Sequence, residues 1–237
     1  MNVPVSFLAE TQLHFVLSRA TVEARVILVV LALFSIFAWY MMVFKGMQMR
    51  RAKKLNLYFD SEFRAQKDVL AIFERHLDVF GCPFFAVYQE GCQELDARLK
   101  SAAGGSPRQP SLTLKSMEHI KRTVESAVAR ESIKLEAGLI LLASAVSGGP
   151  FLGLLGTVWG VMDTFAMVGQ SQSAALETMA PGVSAALITT VAGLVVAIPS
   201  MFGYNFLVHR LRVQTVELDN FAQELVSKME IEYLIEE

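Results

Sequence analysis

Polar and apolar positions along this chain separate into blocks far longer than a surface helix needs. Three stretches, residues 26–44, 137–162 and 178–208, contain no charged side chain. A helix that crosses a bilayer needs about 20 apolar residues, so each stretch is long enough. The first ends in the bulky side chains Trp39, Tyr40, Met41 and Met42. The other two carry small and hydroxyl residues at helical spacing. One has Gly149, Gly153, Gly156, Thr157, Gly160 and Thr164; the other has Gly182, Ala186, Thr190, Gly193 and Ala197. At about 100° per residue each set falls on one helix face. Small faces let membrane helices approach closely, and threonine adds a hydroxyl inside the membrane. Gly153, Gly156, Gly160, Gly182, Ala186, Gly193 and Ala197 are therefore expected to pack helices. Thr157 and Thr190 are expected to line what those faces enclose. Pro150, Pro181 and Pro199 are expected to kink the spans, because proline removes a backbone donor and crowds the preceding turn.

Between the first and second spans the pattern is that of an amphipathic helical domain. Val69, Leu70, Ile72, Phe73, Leu77 and Phe80 recur at helical spacing until Gly81 and Pro83 break the run. A second helix is expected over residues 84–100, followed by a linker containing Gly104, Gly105, Ser106, Pro107 and Pro110. Ser111 could cap a long helix with Met117, Ile120, Val124 and Val128 on one side. No breaker separates that helix from the second span, so one helix is expected to run from one into the other. The tail alternates Val213, Val216, Phe221, Leu225 and Met229 with charges, as a helix continuing the third span would.

Basic residues set the expected orientation. Lys45, Arg50, Arg51, Lys53 and Lys54 follow the first span, Arg210 and Arg212 follow the third, and no Lys or Arg lies between Lys134 and Arg210. The positive-inside rule then places the N-terminus outside and the C-terminus inside. The expected fold is all-α: an integral membrane protein with three transmembrane helices, N-out and C-in, whose long helices extend into a cytoplasmic helical domain. Its segments are a periplasmic N-terminal stretch over 1–25 and the first span over 26–44. A cytoplasmic domain follows over 45–134, then the second span over 135–165 and a short periplasmic loop over 166–177. The third span covers 178–208, and a cytoplasmic C-terminal helix covers 209–237.

Composition narrows the chemistry. The formal charge of −2 supplies no basic stripe for nucleic acid. Cys82 and Cys92 make no disulfide scaffold, and His14, His76, His119 and His209 are scattered, so neither a metal nor a cofactor is expected. There is no phosphate-binding loop with its lysine, no nucleophile elbow and no paired histidines on a helix, which argues against an enzyme. The spans hold hydroxyls but no ionisable group in their middle; Asp163, Glu177 and Glu136 stand at the rims. A hydroxyl can order water or bind an ion, yet it releases no proton at physiological pH. If protons cross beside these helices, the titrating acid is a rim acid or belongs to a partner chain.

The stretch Gly153-Leu-Leu-Gly-Thr-Val-Trp-Gly-Val-Met162 resembles the second-span signature of the TolQ/ExbB family of proton-driven bacterial inner-membrane proteins. The stretch Met179-Ala-Pro-Gly-Val-Ser-Ala-Ala-Leu-Ile-Thr-Thr-Val-Ala-Gly-Leu-Val-Val-Ala-Ile-Pro199 is similar to its third-span signature, and Tyr204-Asn205 to its exit from that span. The resemblance implies a multi-pass inner-membrane subunit that forms a homo-pentamer around single-span partners of the TolR/ExbD type. The partner's membrane aspartate supplies the missing acid. It implies further that the proton-motive force moves the assembly to energise a periplasm-spanning protein of the TolA/TonB type, with channel threonines at Thr157 and Thr190. One position departs from the pattern: Ala185 stands where the family commonly has glutamate, so a mechanism needing a second membrane acid on this subunit is not carried over.

The short stretch before the first span and Asp219-Asn220-Phe221 look more like TolQ than ExbB. TolQ-type motors serve envelope integrity and division; ExbB-type motors power outer-membrane uptake. A flagellar stator would have four spans and a larger cytoplasmic domain. A self-sufficient permease should show a broken helix or buried charge at the midplane, and neither is present. A structural scaffold, in which the small faces only pack, is the reading of another class.

Overall fold

A computed structural model describes residues 21–75, 78–103, 112–171 and 176–234. Six helices make up the described chain: α1 (Val22–Ala65), α2 (Ala71–Glu74), α3 (Pro83–Ala103), α4 (Leu114–Glu136), α5 (Leu139–Ser171) and α6 (Leu176–Tyr233). The fold is all-α, and α1, α5 and α6 are long and apolar enough to cross a membrane. The chain divides into two compact units, one holding the residues up to Val43 with Gly138–Phe206, the other Phe44–Ala137 with the residues from Leu207 onward.

The first unit is built inside-out. Leu33, Ile36, Phe151, Val158, Phe165, Leu187, Val195 and Phe202 are exposed, while Thr164, Ala186, Thr189, Ala197 and Ser200 are buried. In water so much exposed aliphatic and aromatic surface would aggregate; in lipid it is the solvated face. Small and hydroxyl residues then belong inside, where close backbone approach and interhelical hydrogen bonds hold the helices together.

The second unit has an ordinary core. Phe59, Phe63, Phe84, Phe85, Tyr88 and Phe221 are all buried. Phe59 meets Tyr88 edge-on at 5.3 Å between centroids, and Phe84 stacks on Phe221 at 4.5 Å. Polar groups fix the helix ends. Asn56 Oδ1 accepts from the Phe84 N–H at 3.3 Å, satisfying a free donor in the first turn of α3. Lys228 Nζ donates to the Gln66 carbonyl at 2.7 Å, just past the end of α1, and lies 4.5 Å over the Phe63 ring. Lys45 Nζ donates to the Leu135 carbonyl at 3.3 Å in the last turn of α4. The Leu112 N–H donates to the Tyr233 carbonyl at 2.9 Å.

Three expectations are corrected. The run from Val69 to Phe80 is helical only over Ala71–Glu74; Leu77 lies outside the described residues, and Phe80 is 85% exposed. Side chains take the backbone groups that a longer helix would use. Asp68 Oδ1 accepts from the Leu70 N–H at 2.8 Å, and the Tyr88 hydroxyl donates to Val69 O at 2.6 Å while accepting from the Phe73 N–H at 3.0 Å. The helix expected to start at Ser111, which lies outside the described residues, is capped by Thr113, whose Oγ1 accepts from the Ser116 N–H at 3.4 Å. That helix also does not continue into the second span. It ends at Glu136, and Gly138 turns the chain with φ of 89° before α5 begins.

Elsewhere the helix ends lie near expectation. The helix expected over 84–100 is Pro83–Ala103, and the tail continues α6 to Tyr233. Helix α5 extends to Ser171 and α6 starts at Leu176, so much of the 166–177 stretch is helical. Pro150, Pro181 and Pro199 all sit inside unbroken helices.

Candidate functional site

Helices α5 and α6 meet along their two small faces within one chain. A β-carbon on Gly149 would come 3.0 Å from the Gly193 carbonyl oxygen, and one on Gly153 would come 2.8 Å from the Thr189 carbonyl oxygen. One on Gly156 would come 2.7 Å from Thr189 Cβ, and one on Gly160 would come 2.8 Å from Ala186 Cβ. Gly182 faces Thr164 in the same way, and Ala197 lies beside Gly149. Real β-carbons do not approach so closely, so each site admits no larger side chain while the helices keep this separation.

Most hydroxyls in this unit close on their own helix. Ser144 donates to Ile140 O at 2.9 Å, Thr164 to Gly160 O at 2.7 Å and Ser200 to Val196 O at 2.7 Å. Thr157, Thr189 and Thr190 instead reach between helices. Thr157 Oγ1 lies 3.2 Å from Gly153 O on its own helix and 3.2 Å from Ala186 O across the seam. It is also hydrogen-bonded to Thr190 Oγ1. Thr189 Oγ1 lies 2.6 Å from Ala186 O and 3.0 Å from Gly153 O, and Thr190 Oγ1 lies 3.3 Å from Gly153 O. The cluster therefore has three hydroxyl protons and two shared carbonyl acceptors. Each hydroxyl has one proton to give, so the bonds alternate among these partners.

The three threonines differ in burial. Thr189 is fully buried, whereas Thr157 and Thr190 are half-buried. At about 100° per residue, Thr189 and Thr190 flank the Gly182, Ala186, Gly193 and Ala197 stripe on opposite sides, Thr189 beyond Gly182 and Thr190 beyond Ala197. Thr157 is at the matching margin of the α5 stripe. The seam is closed over Thr189 and opens at the Thr157–Thr190 pair. The sequence pattern does not single out Thr189, because its angle falls about 20° outside the small stripe, as that of Thr190 does on the other side.

The sequence pairs Thr157 with Thr190, and the structure brings them into contact. The rim acids stand apart from that pair in character. Asp163 is half-buried on α5 and Glu136 is exposed at the last residue of α4; the Glu177 side chain lies outside the described residues. Ala185, at the glutamate position of the resemblance, is buried against Ala24 of α1. Among the described residues no group of three or more His, Cys, Asp or Glu side chains could hold a metal. A set of neutral hydroxyls beside carbonyl oxygens can bind water or a small cation and pass a proton along, but it neither generates nor stores one.

Comparison with known proteins supplies the family. Residues 89–220, more than half of the chain, match the MotA/TolQ/ExbB proton channel family. The Tol-Pal system protein TolQ of Pseudomonas aeruginosa is 34% identical over 198 residues, covering 82% of each chain. The biopolymer transport protein ExbB of Xanthomonas campestris pv. campestris is 33% identical over 204 residues, covering 84% of this chain and 79% of its own. The Tol-Pal system protein TolQ of Haemophilus influenzae is 31% identical over 215 residues, covering 88% of this chain and 90% of its own. With three membrane-length helices and a match that takes in both small-faced spans, this chain belongs to the MotA/TolQ/ExbB proton channel family.

Proposed function

We propose that this protein is the channel subunit of a TolQ-like motor in the bacterial inner membrane, driven by the proton-motive force. The observation that carries the reading is the Thr157–Thr190 pair, two half-buried hydroxyls in contact at the margin of a seam otherwise sealed by glycine and alanine. The N-terminus faces the periplasm, and the unit with the aromatic core lies in the cytoplasm. Subunits assemble as a pentamer around a single-span partner of the TolR/ExbD type, and Thr157 and Thr190 face the channel between them. The partner brings an aspartate, because among the described residues the pair holds hydroxyls but no acid. Protons moving through that contact drive a periplasm-spanning protein of the TolA type, for envelope integrity and cell division. A charge crossing the membrane supplies about 2.3 kcal/mol per 100 mV, so a few protons per step suffice for mechanical work.

Proton flux into liposomes holding this chain, with and without its single-span partner, tests the reading. Flux is expected only with the partner present. It should be lost when the partner's membrane aspartate becomes Asn and reduced by Thr157→Val or Thr190→Val. Strong flux from this chain alone, abolished by neutralising Asp163, Glu177 or Glu136, would show that the subunit carries its own relay.

An ExbB-like role in outer-membrane uptake is the second reading, favoured by the similar identity to relatives of either name. Restoration of detergent resistance in a strain lacking TolQ, against restoration of iron-siderophore uptake in one lacking ExbB, separates the two.

A further inference from the structure

The second unit presents two unlike surfaces. On α1, past the first span, Met47, Arg51, Lys54 and Tyr58 recur at helical spacing with Arg50 and Leu57 beside them, and all six are exposed. Tyr58 is 63% exposed and Leu57 62%. None of Arg50, Arg51 and Lys54 makes an ion pair among the described residues, whereas Lys53, one position away, pairs with Glu217 at 3.4 Å. The stripe therefore combines large apolar side chains with three unpaired cations.

A groove of about 350 Å³ between α4 and α6 has the opposite character. Val124, Val128, Ala222 and Val226 form its floor, and Glu125, Asp219 and Glu230 stand at its edge with Lys121 as the one cation. These three acids make no ion pair among the described residues. Three acids against one lysine leave the groove net negative.

Both surfaces lie at the same level along the helices. Lys53 pairs with Glu217, Arg64 with Glu224 at 2.6 Å, and Gln214 Nε2 donates to Met49 O at 2.7 Å. Helices α1 and α6 thus run parallel and in register, with Tyr58 level with about Ala222 in the groove. Copies related by rotation about an axis along the helices keep every residue at its own level. Such a rotation can bring the stripe of one copy against the groove of the next, the head-to-tail contact that closes a ring.

We propose that the Met47–Tyr58 stripe of one subunit docks into the α4–α6 groove of the next copy of this chain, with Tyr58 over the valine floor and Lys54 against Asp219 and Glu125. The proposal rests on the ring assembly of the proposed function and names the surface that builds it. Apolar contact supplies the attraction and the unpaired charges fix register and partner.

The test uses the full chain in detergent, read by native mass and by oxidative cross-linking. Tyr58→Cys combined with Gln223→Cys is expected to give a ladder of covalent oligomers ending at the ring, while either cysteine alone gives none. Lys54→Glu should lower the ring population about tenfold, and adding Asp219→Lys should restore it. A wild-type chain that is monomeric would overturn the assembly reading beneath the proposal. A ring that forms without the ladder and ignores Lys54→Glu would overturn this interface alone. So would a Lys54→Glu defect that Asp219→Lys does not repair and that coincides with lost binding to phosphatidylglycerol vesicles, since the stripe would then be a lipid contact.

Discussion

Gly153 lies against the backbone of Thr189, so close that a β-carbon on the glycine would sit 2.8 Å from the threonine carbonyl oxygen. Gly193 makes the reciprocal approach, its notional β-carbon falling 2.5 Å from Gly149 O. These contacts lie within one chain, so they bear on folding of the subunit before any assembly. Gly153→Ala and Gly193→Ala should each destabilise the solubilised protein by about 1–3 kcal/mol through overpacking. Gly148→Ala is the control. Nothing lies within 4 Å of that position, and alanine should stabilise the helix by up to about 1 kcal/mol. Thermal unfolding of the three purified variants checks the contrast.

The hydroxyl cluster predicts unequal losses. Thr189→Val removes the fully buried donor that serves Ala186 O and Gly153 O, and should cost about 1 kcal/mol of stability. Thr157→Val and Thr190→Val should cost less stability and more flux. Because these two share a hydrogen bond, the double variant should fall short of the sum of the singles, with a coupling of about 0.5–3 kcal/mol. A double-mutant cycle on flux and on melting temperature measures both.

Ala185 and Ala24 are buried against each other. Ala185→Ser should fold normally. Ala185→Glu puts a carboxyl where a methyl group fits and no partner waits, so it should cost several kcal/mol and lower the yield of folded protein in the membrane. Size-exclusion profiles of the two variants decide it.

In the second unit, burial pushes the Cys92 thiol up to about 12 from its ordinary 9.0 and raises Cys82 as well. The folded chain holds these protons at pH values where the unfolded chain releases them. Their contribution to stability is therefore whole below pH 9.0 and is lost as pH climbs towards about 12. Denaturation midpoints should be flat from pH 7 to 9 and fall from 9 to 11, by about the same interval over which the unfolded thiols ionise. Both thiols should resist maleimide at neutral pH until denaturant is added.

What was legible in the sequence followed from local pattern. Uncharged runs gave the three membrane-length helices, because in lipid a spanning segment must be helical and apolar over its whole length. The small stripes marked the seam for the same reason: only Gly and Ala permit the approach seen between Gly149 and Gly193. The failures came from partners distant in the chain. Val69 and Phe73 keep an apolar helical rhythm, yet their backbone groups are taken by the Tyr88 hydroxyl, which no window of neighbours contains. Gly138 looked like one more apolar-run glycine, and only its φ of 89° shows that it ends a helix. Thr189 and Thr190 stand at equal angles from the small stripe, so the angle on the helix does not tell the sealed hydroxyl from the open one.

Gly138 carries a further expectation. An L side chain in that left-handed conformation costs about 1–2 kcal/mol, so Gly138→Ala should lower the melting temperature measurably, and Gly138→Asn should do so less.

The continuity of α6 has a mechanical side. It runs without a break over 58 residues, about 87 Å at 1.5 Å per residue, and past Thr190 only Pro199 interrupts its backbone ladder. Thr157 stands on α5, which reaches α4 through the rotatable backbone of Gly138. The two partners of one hydroxyl pair thus lead away along unlike paths, a connecting rod and a knuckle. Each member of the pair has its own covalent path out of the seam, one through continuous helix and one through a single glycine of positive φ.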